Sequence, residues 1–397
     1  MAIQLPVEKF GGIRTPFYFY DTNILRETLS TINSETSKYD NYFVHYAVKA
    51  NANLKVLKVI NEAGLGIDCV SGGEIEQVLA AGFPANKIVF AGVGKSDWEI
   101  ELGLEKGILC FNVESIPELE VINEIAGKMN KQATVCFRIN PNVGAHTHAN
   151  ITTGLADNKF GIAMADMEKV IAMAQEMKNV TFKGLHFHIG SQILEMDDFV
   201  ALCNRINELQ DQLEASGIKM EIINVGGGLG VDYADPISNP IPNFADYFAT
   251  YNKYLKLRPG QSLHFELGRA VVCQCGALIT KVNYVKSNSL QTYENEKDAG
   301  VKKFVIVDAG MTDLIRPALY DAHHKTINLC SNLPEETYDV VGPICESSDV
   351  FDKDILLPKT KRGDYIAMLS AGAYGEIMAS SYNCRKLPVG YTTEELG

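Results

Sequence analysis

The chain has 397 residues, 46% of them hydrophobic, which is ample for a buried core and too apolar for a disordered chain. That length exceeds the ~100–200 residues of an average domain and predicts two domains, or one large barrel with an appendage. Lys plus Arg number 36 and Asp plus Glu 49, and the resulting charge of −13 argues against phosphate-backbone binding, so no nucleic-acid partner is expected.

Residues 1–20 carry Glu8, Lys9 and Arg14 and lack the apolar stretch of a signal peptide. Phe17–Tyr20 reads as an alternating aromatic strand able to pair with a later β domain. From residue 40 to 270, short apolar runs alternate with amphipathic stretches. Strands are predicted at 42–48, 66–70, 88–91, 109–113, 134–140, 182–188, 221–225 and 262–267. Helices are predicted at 53–63, 73–81, 115–129, 167–177 and 197–216. The second of these starts at Ser71-Gly72-Gly73 and sets Glu74, Ile75, Val78 and Leu79 at helical spacing. Eight strands alternating with helices match a (β/α)8, TIM-like barrel of ~250 residues, with a doubly wound sheet as the rival architecture. Residues 232–243, rich in Pro, Asn and Asp, read as a loop. After about residue 270 the runs 270–285, 304–308, 338–341 and 365–369 are separated by polar turns, which reads as a second, β-rich domain.

No apolar run approaches the ~18 residues of a membrane span, so a cytoplasmic protein without a membrane partner is expected. The nine cysteines form no CxxC, which leaves zinc and thioredoxin-like chemistry without support, and no metal is expected. An odd number fits reduced thiols. The closest pair, Cys273 and Cys275, would point the same way on a strand.

In a barrel enzyme the working residues sit where strands end and loops begin. Lys49 ends the first predicted strand after an apolar run; a lysine in a dry pocket has a lowered pKa and can form a Schiff base, whereas a lone one is more often simply solvated. Asp68 lies late in the second strand. His186 and His188 share one face of the sixth, either as packed histidines or as part of a site, and Ser191 follows. Gly226, Gly227 and Gly228 follow the seventh; such a run lets backbone N–H groups cradle a phosphate or simply makes a tight turn. Glu266 in the eighth needs a cationic partner, which is either Arg269 or a protonated heterocyclic nitrogen. In the β domain, Cys345 stands beside Glu346. Arg316 and Tyr320 lie four apart, so a helical turn would set guanidinium and phenol on one side, suited to a carboxylate.

Taken in order, Tyr46-Ala47-Val48-Lys49-Ala50, Ser71-Gly72-Gly73-Glu74, His186-Phe187-His188-Ile189-Gly190-Ser191-Gln192, Gly226-Gly227-Gly228-Leu229-Gly230, Glu266-Leu267-Gly268-Arg269, Cys345-Glu346-Ser347 and Gly372-Ala373-Tyr374-Gly375 resemble the diaminopimelate decarboxylase family, in the barrel-type group of pyridoxal-phosphate decarboxylases. The resemblance covers essentially the whole chain. It implies pyridoxal 5′-phosphate as cofactor, bound by a barrel over residues 21–270. Residues 1–20 and 271–397 would form the β-rich domain that contributes substrate and dimer contacts.

The resemblance further implies that Lys49 holds the cofactor as a Schiff base, His188 stacks on its ring and Glu266 binds the ring nitrogen. Asp68, Gly268 and the phosphate neighbours Gly226 to Gly228, Ser191, Arg269 and Tyr374 would complete the cofactor site. Arg269, Arg316, Tyr320 and Tyr374 would contact the substrate, Glu346 its distal ammonium, and Cys345 would return the proton. The active sites would be shared across a homodimer. The implied reaction converts meso-2,6-diaminopimelate to L-lysine and CO2. Rival readings are a carboxynorspermidine decarboxylase and a non-catalytic cofactor-binding relative. One departure from the family stands out: its usual Glu-Pro-Gly-Arg has Leu267 in place of proline, which frees φ and restores an N–H donor.

Overall fold

The structure is a computed structural model that describes residues 2–144, 159–289 and 300–396. The chain divides into two compact units: residues 26–230 with 242–271, and residues 1–25 with 231–241 and 272–397.

In chain order, the strands are β1 (Phe17–Tyr20), β2 (Tyr42–Ala47), β3 (Gly66–Cys69), β4 (Ile88–Phe90), β5 (Cys110–Val113), β6 (Ala133–Asn140), β7 (Ile162–Ala163), β8 (Val180–His186), β9 (Ile222–Asn224) and β10 (Ser262–Leu267). There follow β11 (Gly276–Ser289), β12 (Val301–Val307), β13 (Thr326–Asn328), β14 (Glu335–Val341), β15 (Val350–Pro358), β16 (Tyr365–Met368) and β17 (Val389–Thr392).

The first unit is a closed parallel barrel in the order β2-β3-β4-β5-β6-β8-β9-β10, with β10 returning to pair with β2. All eight strands expected from the sequence are there, and the barrel, not the doubly wound sheet, is the architecture. Its strands are short and nearly continuous in apolar residues because both faces are covered, one by packed side chains and the other by helices. The helices start where side chains can bind their free N–H groups. Ser71 Oγ accepts from Glu74 N–H and Ser115 Oγ from Glu118 N–H, both at 3.2 Å. Leu267 is the last residue of β10 and pairs in register with Tyr46.

The second unit is a mostly antiparallel sheet in the order β13-β16-β11-β12-β14-β15, extended by β1 and β17. β1 does pair back into this β-rich unit, antiparallel to β11 and parallel to β17. Period-two alternation sends Phe17 and Phe19 into a core with Phe10, Ile279 and Leu369. Tyr18 and Tyr20 face the other way, and the Tyr18 hydroxyl donates to the Asp313 carbonyl at 2.7 Å. The run 270–285 is not all strand: Arg269–Val272 forms a helical turn and β11 begins only at Gly276. Cys273 and Cys275 therefore sit in a buried turn, not on a strand; the Cys273 thiol donates to the Ser370 carbonyl and that of Cys275 to the Val272 carbonyl.

A register shift between β6 and β8 brings Gly184 opposite Cys136, and a Cβ at Gly184 would lie 1.8 Å from the Ile222 carbonyl oxygen. Gly184→Ala must therefore push β8 and β9 apart. Its expected cost is on the order of 3 kcal/mol, at the top of the overpacking range, read as a lower denaturant midpoint of the barrel. An unchanged midpoint would show that the two strands have slack.

Candidate active site

The C-terminal ends of the barrel strands deliver a cluster built around Glu266, one residue from the end of β10. Its Oε1 accepts from the Asn112 amide of β5 at 2.9 Å and from the Asn224 amide of β9 at 2.7 Å. Its Oε2 lies 2.9 Å from His186 Nε2 at the end of β8; a carboxylate has no hydrogen to give, so Nε2 carries the proton. All four side chains are buried. Burial pushes the Glu266 carboxyl up, but His186, Lys49 and the Asn224 amide outweigh it and hold the group well below the usual carboxylate range. Arg269, one of the two partners the sequence suggested for Glu266, instead donates from Nη2 to Ser191 Oγ at 3.0 Å.

Asn224 also ties Glu266 to the glycine turn, because its Oδ1 accepts from Gly226 N–H at 2.9 Å. The turn packs so closely that a Cβ at Gly227 would fall 2.0 Å from the Glu266 carbonyl oxygen. Gly226 is at φ +68°, where glycine is favoured. Gly227 N–H points at His188 Nδ1, 3.3 Å away, which leaves the ring proton on Nε2. His188 lies just beyond β8; burial and the cations Arg138 and Lys49 lower its pKa well below the ordinary value, so the ring is neutral.

β2 ends at Ala47, and Lys49 occupies the helical turn after it, Val48–Ala50. Gly268 lets this turn approach β10, since a Cβ there would meet Ala47 Cβ at 3.2 Å and Ala50 Cβ at 3.1 Å. Lys49 Nζ lies 3.7 Å from Asp68 Oδ2, and its side chain is 42% exposed. Both Asp68 oxygens are buried without a hydrogen-bond partner among the described residues. Burial and the nearby Glu266 raise the Asp68 pKa well above the carboxylate range, and Lys49 offsets this only in part.

In the β-rich unit, Arg316 opens the short helix Arg316–Tyr320 and is buried. Its guanidinium lies 5.5 Å from the ring centre of Tyr233, 5.8 Å from that of Tyr320 and 6.0 Å from that of Tyr374. Tyr374 is held at φ +56°, a backbone conformation uncommon outside glycine. Cys345 and Glu346 are exposed on the loop between β14 and β15. The Tyr382 hydroxyl donates to Glu346 Oε1 at 2.8 Å.

A family model for pyridoxal-dependent decarboxylases, pyridoxal binding domain, matches residues 25–273. The chain belongs to the pyridoxal-dependent decarboxylases. It is 69% identical to a diaminopimelate decarboxylase of Bacteroides thetaiotaomicron, over 98% of each chain. Among solved structures, it resembles the Helicobacter pylori diaminopimelate decarboxylase complexed with L-lysine, at 38% identity, TM-score 0.89 and coverage of 97% of this chain and 93% of that one. It also resembles the M. jannaschii diaminopimelate decarboxylase in co-complex with L-lysine, at 35% identity, TM-score 0.86 and coverage of 98% and 90%.

The barrel mouth of this decarboxylase fits pyridoxal 5′-phosphate on its own chemistry. An ionised carboxylate at Glu266 suits a protonated ring nitrogen, and the partnerless oxygens of Asp68 beside Lys49 suit further polar groups. A glycine turn flanked by Ser191 and Arg269 suits a phosphate. Asn112 and Asn224 escape a reading of the sequence because asparagine in a strand carries no motif; their positions late in predicted strands are the one available signal. Among the described residues no three His, Cys, Asp or Glu side chains converge to hold a metal ion.

Because the folded pKa of Glu266 is depressed, its contribution to stability is complete above the unfolded value of ~4.3 and is lost as pH falls through the folded value. Glu266→Gln should therefore destabilise the chain at pH 7, and the gap from wild type should narrow from about pH 5 downwards in urea unfolding. A gap independent of pH would show that the carboxylate is not held ionised.

Proposed function

We propose that the chain decarboxylates meso-2,6-diaminopimelate to L-lysine and CO2, using pyridoxal 5′-phosphate. The observation that carries this reading is Glu266 clamped by Asn112, Asn224 and His186, surroundings that hold its carboxyl well below the usual range. It stands in a chain whose relatives bear the name diaminopimelate decarboxylase. A buried arginine with three tyrosine rings near it supports a substrate with a second carboxylate. Neither ornithine nor carboxynorspermidine has that second amino-acid end.

When bound, the cofactor supplies an electron sink for the pair left behind as CO2 departs. Lys49 would hold it through Nζ, with Asp68 alongside. Glu266 would keep a proton on its ring nitrogen, and neutral His188 would cover its face. Gly226, Gly227, Gly228, Ser191, Gly268, Arg269 and Tyr374 would bind and orient it, chiefly through the phosphate. Arg269, Arg316, Tyr320 and Tyr374 would grip the substrate, with Arg316 on the distal carboxylate and Glu346 on the distal ammonium. Cys345 Sγ would return a proton to the carbon that lost CO2. We place the protein in the cytoplasm as a homodimer with shared sites. The exposure of Cys345 and Glu346 within one chain supports that sharing, and among the described residues no helix is long and apolar enough to cross a membrane.

The test is CO2 release by purified enzyme from meso-diaminopimelate, carboxynorspermidine and ornithine. Turnover should be fastest on the first, with one L-lysine formed per CO2; faster release from either rival overturns the substrate. Lys49→Ala should abolish turnover. Arg316→Ala should lower kcat/KM for meso-diaminopimelate by on the order of 2–5 kcal/mol, the cost of unpairing a desolvated charge. Mixed Lys49→Ala and Cys345→Ala subunits should regain activity. Failure to do so, with subunit exchange confirmed, rejects shared sites.

A further inference from the structure

We propose that His324 is a positioning residue for Arg316, holding its guanidinium so that the substrate's distal carboxylate is met end-on by Nη1 and Nη2. The inference rests on the reading of Arg316 as the carboxylate anchor and assigns a role to its neighbour.

Arg316 is buried, yet among the described residues no carboxylate pairs with it. Its Nε instead donates to His324 Nε2 at 3.3 Å. His324 is 2% exposed, and its other ring nitrogen, Nδ1, lies 3.1 Å from the Leu369 carbonyl oxygen. A carbonyl can only accept, so Nδ1 carries the proton and Nε2 presents a lone pair. The two bonds select one tautomer, the one able to accept from arginine.

The ring is held by more than these bonds. Residues 326–328 of β13 pair with β16, and Leu369 N–H donates to the Lys325 carbonyl at 2.9 Å, so the backbone on both sides of the contact is fixed. Tyr233 packs edge-on against His324, with ring centres 5.2 Å apart, and also lies beneath the Arg316 guanidinium.

A guanidinium offers a carboxylate two bidentate edges, one made by Nε with an Nη and one by the two Nη groups. His324 uses the Nε–H and closes the first edge. The second keeps two parallel donors, the fork that suits a carboxylate. The tyrosine rings at 5.5–6.0 Å favour the cation without competing for those N–H groups. A neutral acceptor at Nε thus orients the arginine without cancelling its charge, which an aspartate there would do.

The probes are L-lysine and 1,5-diaminopentane, which differ only by the carboxylate, bound to the holoenzyme and followed by absorbance titration. His324→Phe keeps a ring but has no acceptor. It should weaken L-lysine about ten- to hundred-fold, the range of a hydrogen bond to a charged group, and change 1,5-diaminopentane by less than about twofold. His324→Gln puts an acceptor near the Nε2 position and should restore L-lysine binding to within about fivefold. His324→Asn, whose amide reaches only the Nδ1 position, should behave like His324→Phe. On meso-diaminopimelate the same variants should raise KM far more than they lower kcat.

Equal weakening of both probes by His324→Phe would assign the histidine a merely structural role and overturn the proposal. Equal L-lysine affinity in His324→Gln and His324→Asn overturns it as well, and needs no folded His324→Phe. Arg316→Ala separates the two levels. If it leaves the preference for L-lysine intact, the reading of Arg316 itself fails; if it removes the preference and His324→Phe does not, only the role of His324 fails.

Discussion

A carboxylate deprived of water must be ionised by its surroundings or become neutral, and much of the barrel's polar interior is arranged around that choice at Glu266. Three donors from three other strands converge on its two oxygens, from Asn112, His186 and Asn224. Desolvation alone would push the group up; the donors and nearby positive charge reverse the direction. Asp68, on β3, shows the alternative. Its oxygens are equally buried but lack hydrogen-bond donors among the described residues, and its pKa moves up. Two acidic residues in one barrel are thus driven in opposite directions by the charges and hydrogen bonds around them.

The same bonds organise the backbone. Asn224 holds Glu266 with its amide hydrogen and the glycine turn with its oxygen, so the ring-nitrogen and phosphate ends of the proposed cofactor site share one side chain. Asn112 is anchored in turn: its carbonyl accepts from Lys95 Nζ at 2.8 Å, and that ammonium is also bound by the Gly92 carbonyl and by Glu118 at 2.6 Å. Three acceptors match the three hydrogens of a buried lysine. Arg138 and Glu114 form a second buried pair at 3.1 Å, and Glu114 also accepts from Gly92 N–H and Gly161 N–H. Buried charges of this kind are costly unless every donor and acceptor is used, so they fix loop positions more than they add stability.

The barrel was legible because each of its strands is an apolar run bounded by turns, with amphipathic helices between. The β-rich unit was less so. β13 and β17 are too short to show a period, and β15 carries Asp352, Lys353 and Asp354 in its middle, with Asp354 at φ +53°. The charged, histidine and glycine positions near Glu266 stood out from an acidic, apolar background. The residues that hold them did not: Asn112 and Asn224 reach Glu266 across 154 and 42 positions of sequence and Lys95 reaches Asn112 across 17, and no local pattern marks such a contact. The pairing of Glu266 was open for the same reason. Arg269 is near it in the chain, yet its bond goes to Ser191, while His186, eighty residues away, takes the carboxylate.

The most direct test of this account is the protonation state of the cofactor's ring nitrogen, read from its 15N chemical shift in enzyme loaded with labelled pyridoxal 5′-phosphate. With an ionised Glu266 on the ring nitrogen, as proposed, that nitrogen should be protonated across the neutral range, and Glu266→Gln should shift it towards the unprotonated form. An unprotonated nitrogen in the wild-type enzyme, or one that stays protonated in Glu266→Gln, would contradict the account.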